Sequence, residues 1–176
     1  MLNKSLLLLF VLCSTAPASL FAQALPDLRQ IRWGMPRPQV REAEPQKPTS
    51  VRRDKLVYSR IPLNDRTVGL EYDFNGDSLL SATYYYYATV SVTKADVLAA
   101  FSEFEGQLTE KYGPGKPIKT GDGRQINWLT PRTQITLAVG NVDRGWSTEI
   151  VYLCRVCGGG PPAVTSWKAR KEIRDF

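Results

Sequence analysis

Hydrophobic and polar positions alternate most regularly between residues 67 and 87. Val68, Leu70, Tyr72 and Phe74 are separated by Gly69, Glu71 and Asp73; past Asn75-Gly76, Leu80, Ala82, Tyr84 and Tyr86 alternate with Ser81, Thr83, Tyr85 and Tyr87. A period of two with one polar side predicts two strands that each bury one face, joined as a hairpin. A plain two-residue Asn75-Gly76 turn would set Leu70 opposite Ser81 and mix the faces. A three-residue loop, Phe74-Asn75-Gly76 with Gly76 left-handed, keeps them apart and predicts Leu70 opposite Leu80 and Val68 opposite Ala82.

Residues 31–35 predict a short entering strand, and residues 36–44 a short helix with Val40 and Ala43 inward, stopped by Pro45. Residues 46–54 are polar and basic and predict a loop. Residues 55–63 predict a strand with Leu56 and Tyr58 on one side, Val57 and Ile61 on the other, and Pro62 at its end. The strongest helical pattern covers residues 93–112: Thr93 caps it, Asp96 completes a capping box, and Val97, Phe101, Phe104 and Leu108 form a stripe. Gly113 and Pro114 end it. Residues 116–123, rich in Gly, Pro and Lys, predict a linker. A second hairpin spans residues 125–130 and 133–139, with Trp128 opposite Ile135 and Ile126 opposite Leu137, and residues 146–153 supply a last strand. Helix followed by three strands thus occurs twice. The expected fold class is α+β, two helix-plus-three-strand units forming one antiparallel sheet with two helices packed on one face.

Several short motifs fall in a fixed order: Trp33-Gly34-Met35, Tyr72-Asp73-Phe74-Asn75, Tyr112-Gly113-Pro114, a lone Trp128, Thr133-Gln134-Ile135-Thr136-Leu137 and Ile150-Val151-Tyr152. Over about residues 31–153 the chain resembles a broad group of small, mostly uncharacterised exported bacterial proteins that share this series. Pro36 stands where such proteins usually carry a Ser or Thr cap, and the Cys pair and basic tail fall outside the pattern. The resemblance implies a fold and an exported compartment; it brings no catalytic residue.

The address agrees. Lys4, an apolar run over residues 6–12 and the small-residue end Ala22-Gln23-Ala24 predict a signal peptide over residues 1–24, cleaved after Ala24 and directing the chain to a periplasm. That run is too short to span a membrane, which takes about 20 apolar residues. Residues 25–157 are expected to form a single domain, followed over 158–176 by a Gly/Pro linker and a basic C-terminal tail. Loss of the leader, with Lys4 its only charge, takes the net charge from +6 to +5. A modest positive charge of this kind reads first as a solvated basic surface that keeps the protein soluble; as a functional signal in an exported chain it points to an acidic partner or an anionic envelope surface rather than nucleic acid, with weak contact between the tail and an anionic membrane surface as a further expectation.

The chain has no histidine, which removes Ser-His-Asp and Cys-His nucleophiles and histidine-ligated zinc. Neither cofactor nor metal is expected. Glu71 and Asp73, with Asp77 across the turn, have the pattern of a solvated hairpin side. Cys154-Arg155-Val156-Cys157 predicts a local disulfide: in an extended strand the two would lie roughly 10 Å apart, beyond the bridging limit, so closure requires a turn there. A redox-active pair would favour the first Cys at a helix N-terminus, and here it follows a strand. Tyr85 and Tyr87 fall on the polar side of their strand, where amphipathic rings suit a protein interface. The expected function is therefore a non-enzymatic periplasmic protein-binding or envelope-assembly module using an exposed sheet face, with Tyr85, Tyr87 and Glu71 as binding residues. The alternative is a thiol-disulfide redox protein using Cys154 and Cys157.

Overall fold

The computed structural model describes residues 25–121, 123–142 and 145–158. The expected leader and the tail beyond residue 158 lie outside the described residues. In chain order the elements are α1 (Arg37–Ala43), β1 (Ser50–Val51), β2 (Lys55–Leu63), β3 (Arg66–Asn75), β4 (Ser78–Tyr87), α2 (Lys94–Tyr112), β5 (Lys116–Lys119), β6 (Arg124–Leu129), β7 (Thr133–Val142) and β8 (Gly145–Cys154). All eight strands form one antiparallel sheet in the order β1-β2-β3-β4-β8-β7-β6-β5.

This corrects the expected fold of two helix-plus-three-strand units. The sheet dominates, and the helices are not equivalent. Helix α1 is seven residues long with Val40 its only buried residue, and it makes little contact with the sheet; α2 has nineteen residues and lies across β7, β8 and β4. The two added strands are edges: β1 is a two-residue bridge, and β5 is Lys116-Pro117-Ile118-Lys119. Lysine and proline on an edge blunt further pairing, and the same residues made this segment read as a linker.

Helix α2 forms for the reasons its sequence suggests. The Thr93 hydroxyl accepts from the Asp96 amide at 3.2 Å, and the Asp96 carboxylate accepts from the Thr93 amide at 2.7 Å. Val97, Ala100, Phe101, Phe104 and Leu108 are buried against Ile126, Leu137, Ile150 and Tyr152 of the sheet. Burial of each large apolar side chain contributes roughly 1.5–3 kcal/mol, which fixes α2 to this face. Thr148 adds a buried hydrogen bond from its hydroxyl to the Val97 carbonyl, 2.8 Å.

The central hairpin departs from its expected register. Asn75 pairs with Ser78 around Gly76-Asp77, Gly76 having φ +61°, and Leu70 faces Tyr84 rather than Leu80. A bulge at Leu80 separates the Phe74/Leu79 pair from the Asp73/Ser81 pair. One extra residue restores the alternation of faces without lengthening the loop. A second bulge, between Tyr58 and Ile61, puts Ile61 on the core side with Leu56 and Tyr58, where simple alternation placed it opposite. Residues 31–35 form no strand. Ile31 makes one bridge with Leu28, and Trp33 anchors the segment by donating its indole N–H to Thr133 Oγ1 at 2.8 Å.

Beneath the sheet's first half is a buried polar cluster. Glu44 accepts a hydrogen bond from the Tyr72 hydroxyl and pairs with Arg29 Nε at 3.2 Å. Burial raises the pKa of Tyr72, and the Glu44 carboxylate raises it further; Tyr84 is raised by burial against an opposing hydrogen bond from Arg29.

Candidate functional site

Side chains alternate along each strand, so register alone assigns the face opposite α2. One row across it runs Lys55, Asp73, Ser81, Leu153, Gln134 and Leu129; the next runs Val57, Glu71, Thr83, Val151, Thr136 and Asn127. A third runs Gly69, Tyr85, Glu149, Ala138 and Gln125, and a fourth begins with Tyr87 and Ser147. Neither helix lies on this side, because the contacts of α2 and of Glu44 below α1 are all with the apolar face.

Tyr85, Tyr87 and Glu71 share this face. The Tyr85 and Tyr87 rings stack with centroids 6.0 Å apart and planes 21° apart, and Tyr87 is 42% exposed. Gly69 makes room for the stack: a Cβ there would come within 2.1 Å of the Tyr85 ring. The ring therefore lies flat against the β3 backbone, an arrangement only glycine permits.

Glu71 sits in a small ion cluster. Lys55 Nζ contacts the Glu71 carboxylate and lies 3.1 Å from Asp73, whose other oxygen accepts from Ser81 at 2.9 Å. Burial works against the Lys55 charge, but Asp73 and Glu71 outweigh it and hold its pKa above the ordinary lysine value. Glu71 is thus oriented by a partner and remains partly accessible. Asp77, on the turn, accepts from the Arg37 amide at 3.1 Å and belongs to a different contact. Among the described residues no group of three or more His, Cys, Asp or Glu could hold a metal ion.

Cys154 and Cys157 are joined by a disulfide with Cα atoms 5.7 Å apart, closed by a turn immediately after β8. The bridge belongs to the other face. Cys154 pairs in register with Thr133 and is buried, and Cys157 packs partly buried against the same core. It lies apart from the tyrosine pair. An open cleft of about 600 Å³ between α2 and the β5–β6 hairpin, lined by Glu105, Thr109, Ile118, Arg124 and Ile126 among others, contains none of the residues singled out from sequence.

Sequence reasoning missed Gly69, Lys55, Glu149 and Gln125. Glu149 could have been found from the alternation of Ser147, Glu149 and Val151 with Thr148, Ile150 and Tyr152. Its placement beside Tyr85 depends on the long-range pairing of β4 with β8, which no local pattern encodes.

Among the described residues, fold and site together define a sheet with one face closed by α2 and a second face, mixed polar and apolar, on which neither helix lies. No helix among the described residues is long and apolar enough to cross a membrane. No protein-family model, curated protein or solved structure matches the chain.

Proposed function

We propose that this chain is a non-enzymatic protein-binding or envelope-assembly module of the periplasm, and that the helix-free sheet face is its binding surface. The observation that carries this is the Tyr85–Tyr87 stack, laid on Gly69 and bordered by oriented carboxylates. Rings held against a backbone lose little conformational freedom on binding, and tyrosine offers both apolar area and a hydroxyl. Carboxylates ion-paired to a lysine suit recognition better than proton transfer. The periplasmic address is supported by the Lys4, apolar and Ala22-Gln23-Ala24 series and by the paired cysteines.

The test is Tyr85→Ala combined with Tyr87→Ala. Neither ring is part of the core, so the melting temperature should stay within a few degrees of wild type, as for surface substitutions generally. Enrichment of a specific envelope protein by the immobilised wild-type chain should disappear, and the purified partner should fail to rebind the variant. Unchanged enrichment, or a variant that unfolds, contradicts the assignment.

A further inference from the structure

Glu44 is a buried carboxylate whose partners leave half of it unused. It caps the C-terminal end of α1, its side chain is 1% exposed, and its Oε1 accepts from the Tyr72 hydroxyl. Arg29 Nε approaches the same oxygen at 3.2 Å, while Oε2 has no hydrogen-bond partner among the described residues. Two other arginines of this chain meet a carboxylate with both prongs: Arg66 reaches Glu103 at 2.6 and 2.7 Å, and Arg132 reaches Asp27 at 2.7 and 3.2 Å. A planar guanidinium is shaped for that fork. An unpaired oxygen costs most where water is excluded, yet the pair at Glu44 is the least complete of the three.

The backbone explains the misfit. Leu28 and Ile31 exchange hydrogen bonds of 3.2 and 2.8 Å around Arg29 and Gln30, and this turn holds Arg29 at φ +53°, a region that a residue with a Cβ rarely adopts. The guanidinium is thus delivered from a strained point fixed by the turn. Its side chain stays 28% exposed and forms the solvent side of the cluster. The Tyr58 hydroxyl is a second orphan: the residue is 1% exposed, and its oxygen has no partner among the described residues. Tyr58 packs edge to face on Tyr72, ring centroids 6.0 Å apart. After burial, the Glu44 carboxylate is the next cause raising the pKa of both phenols, as expected of three groups in one polar cluster.

We propose that Glu44, with the hydroxyls of Tyr58 and Tyr72, is a binding site for the guanidinium of an arginine-bearing partner, and that Arg29 is a built-in occupant which the incoming group replaces. A guanidinium free of the turn can fork across both Glu44 oxygens and offer a further N–H to Tyr58. One cation replaces another, so the charge balance is kept. The 28–31 turn relaxes, while the Asp27–Arg132 and Trp33–Thr133 contacts hold the chain on either side of it. The site lies on the apolar side of the sheet, and the proposal does not depend on the role of Tyr85 and Tyr87.

The probe is n-propylguanidinium, which matches the Arg29 side chain from Cβ outward, titrated at fixed ionic strength. Arg29→Gly vacates the site and suits the positive φ. It should bind the probe saturably and about tenfold or more tightly than wild type does, because Arg29 no longer competes. In wild type, the Arg29 Nε–Hε nuclear magnetic resonance signal, assigned by its loss in Arg29→Lys, should move to the position of solvent-exposed arginines as the probe saturates. Tyr58→Phe removes an unpartnered buried hydroxyl, so its melting temperature should not fall, yet its affinity for the probe should drop about threefold or more. A purely structural role for the cluster would leave that affinity unchanged. The neutral isostere n-propylurea should not bind. The proposal is overturned if Arg29→Gly folds but shows no saturable binding, if Glu44→Gln binds the probe as wild type does, if n-propylurea binds equally, or if the Arg29 signal stays in place at saturation. Should Arg29→Gly fail to fold, the wild-type signal decides alone.

Discussion

Gly69 and Tyr85 face each other across β3 and β4, and the missing side chain of one fixes the conformation of the other. Sequence alternation placed Tyr85 and Tyr87 outward and Tyr84 inward, but nothing local announced that Gly69 would be the platform. The inward tyrosines give a pH-dependent signature. Burial pushes the Tyr58 phenol up to about 12, with the Glu44 carboxylate adding to the effect. Tyr72, Tyr84 and Tyr152 are raised in the same direction, chiefly by burial. A phenol whose folded pKa exceeds its unfolded value of about 10 stabilises the fold fully below that pH. For Tyr58 that contribution is lost as pH rises from about 10 toward about 12. Ultraviolet titration of phenolate absorbance should show a late step that coincides with loss of near-ultraviolet circular dichroism. All eight tyrosines ionising together near pH 10 with the fold intact would contradict this burial pattern.

Among the elements, those that carry their own signals were legible and those defined by partners were not. Helix α2 has a capping box and an apolar stripe, and the β6–β7 register follows from a two-residue turn. Both bulges and the edge strand β5 were missed, because a bulge is set by the pairing partner and an edge strand needs no apolar alternation. The Cys-x-x-Cys turn was legible from distance alone. Cys154 is buried, and the bridge closes a turn after a strand rather than starting a helix. Equilibration in graded redox buffers with thiol labelling should therefore give a potential below about −300 mV, the range of structural disulfides. A value between about −270 and −120 mV with fast exchange would favour the redox alternative.

At the scale of the molecule, the sheet divides the chain into a face that α2 closes and a face that holds Tyr85, Tyr87, Glu71 and Glu149. One antiparallel sheet was foreseeable from the alternating segments. Its eight-stranded extent and the joining of its halves through β4 and β8 were not, since that contact links residues 60 to 72 positions apart. The consequence for function is directional: a partner should approach the polar face and not the helix. Site-specific photo-crosslinking tests this most directly, with the benzophenone amino acid p-benzoylphenylalanine replacing Tyr87, the exposed ring on that face, or Leu98 on the exposed side of α2, in cells exporting the protein. The account predicts a discrete protein adduct from position 87 and none from position 98; an adduct from position 98 alone, or from neither, would contradict the sheet face as the binding surface.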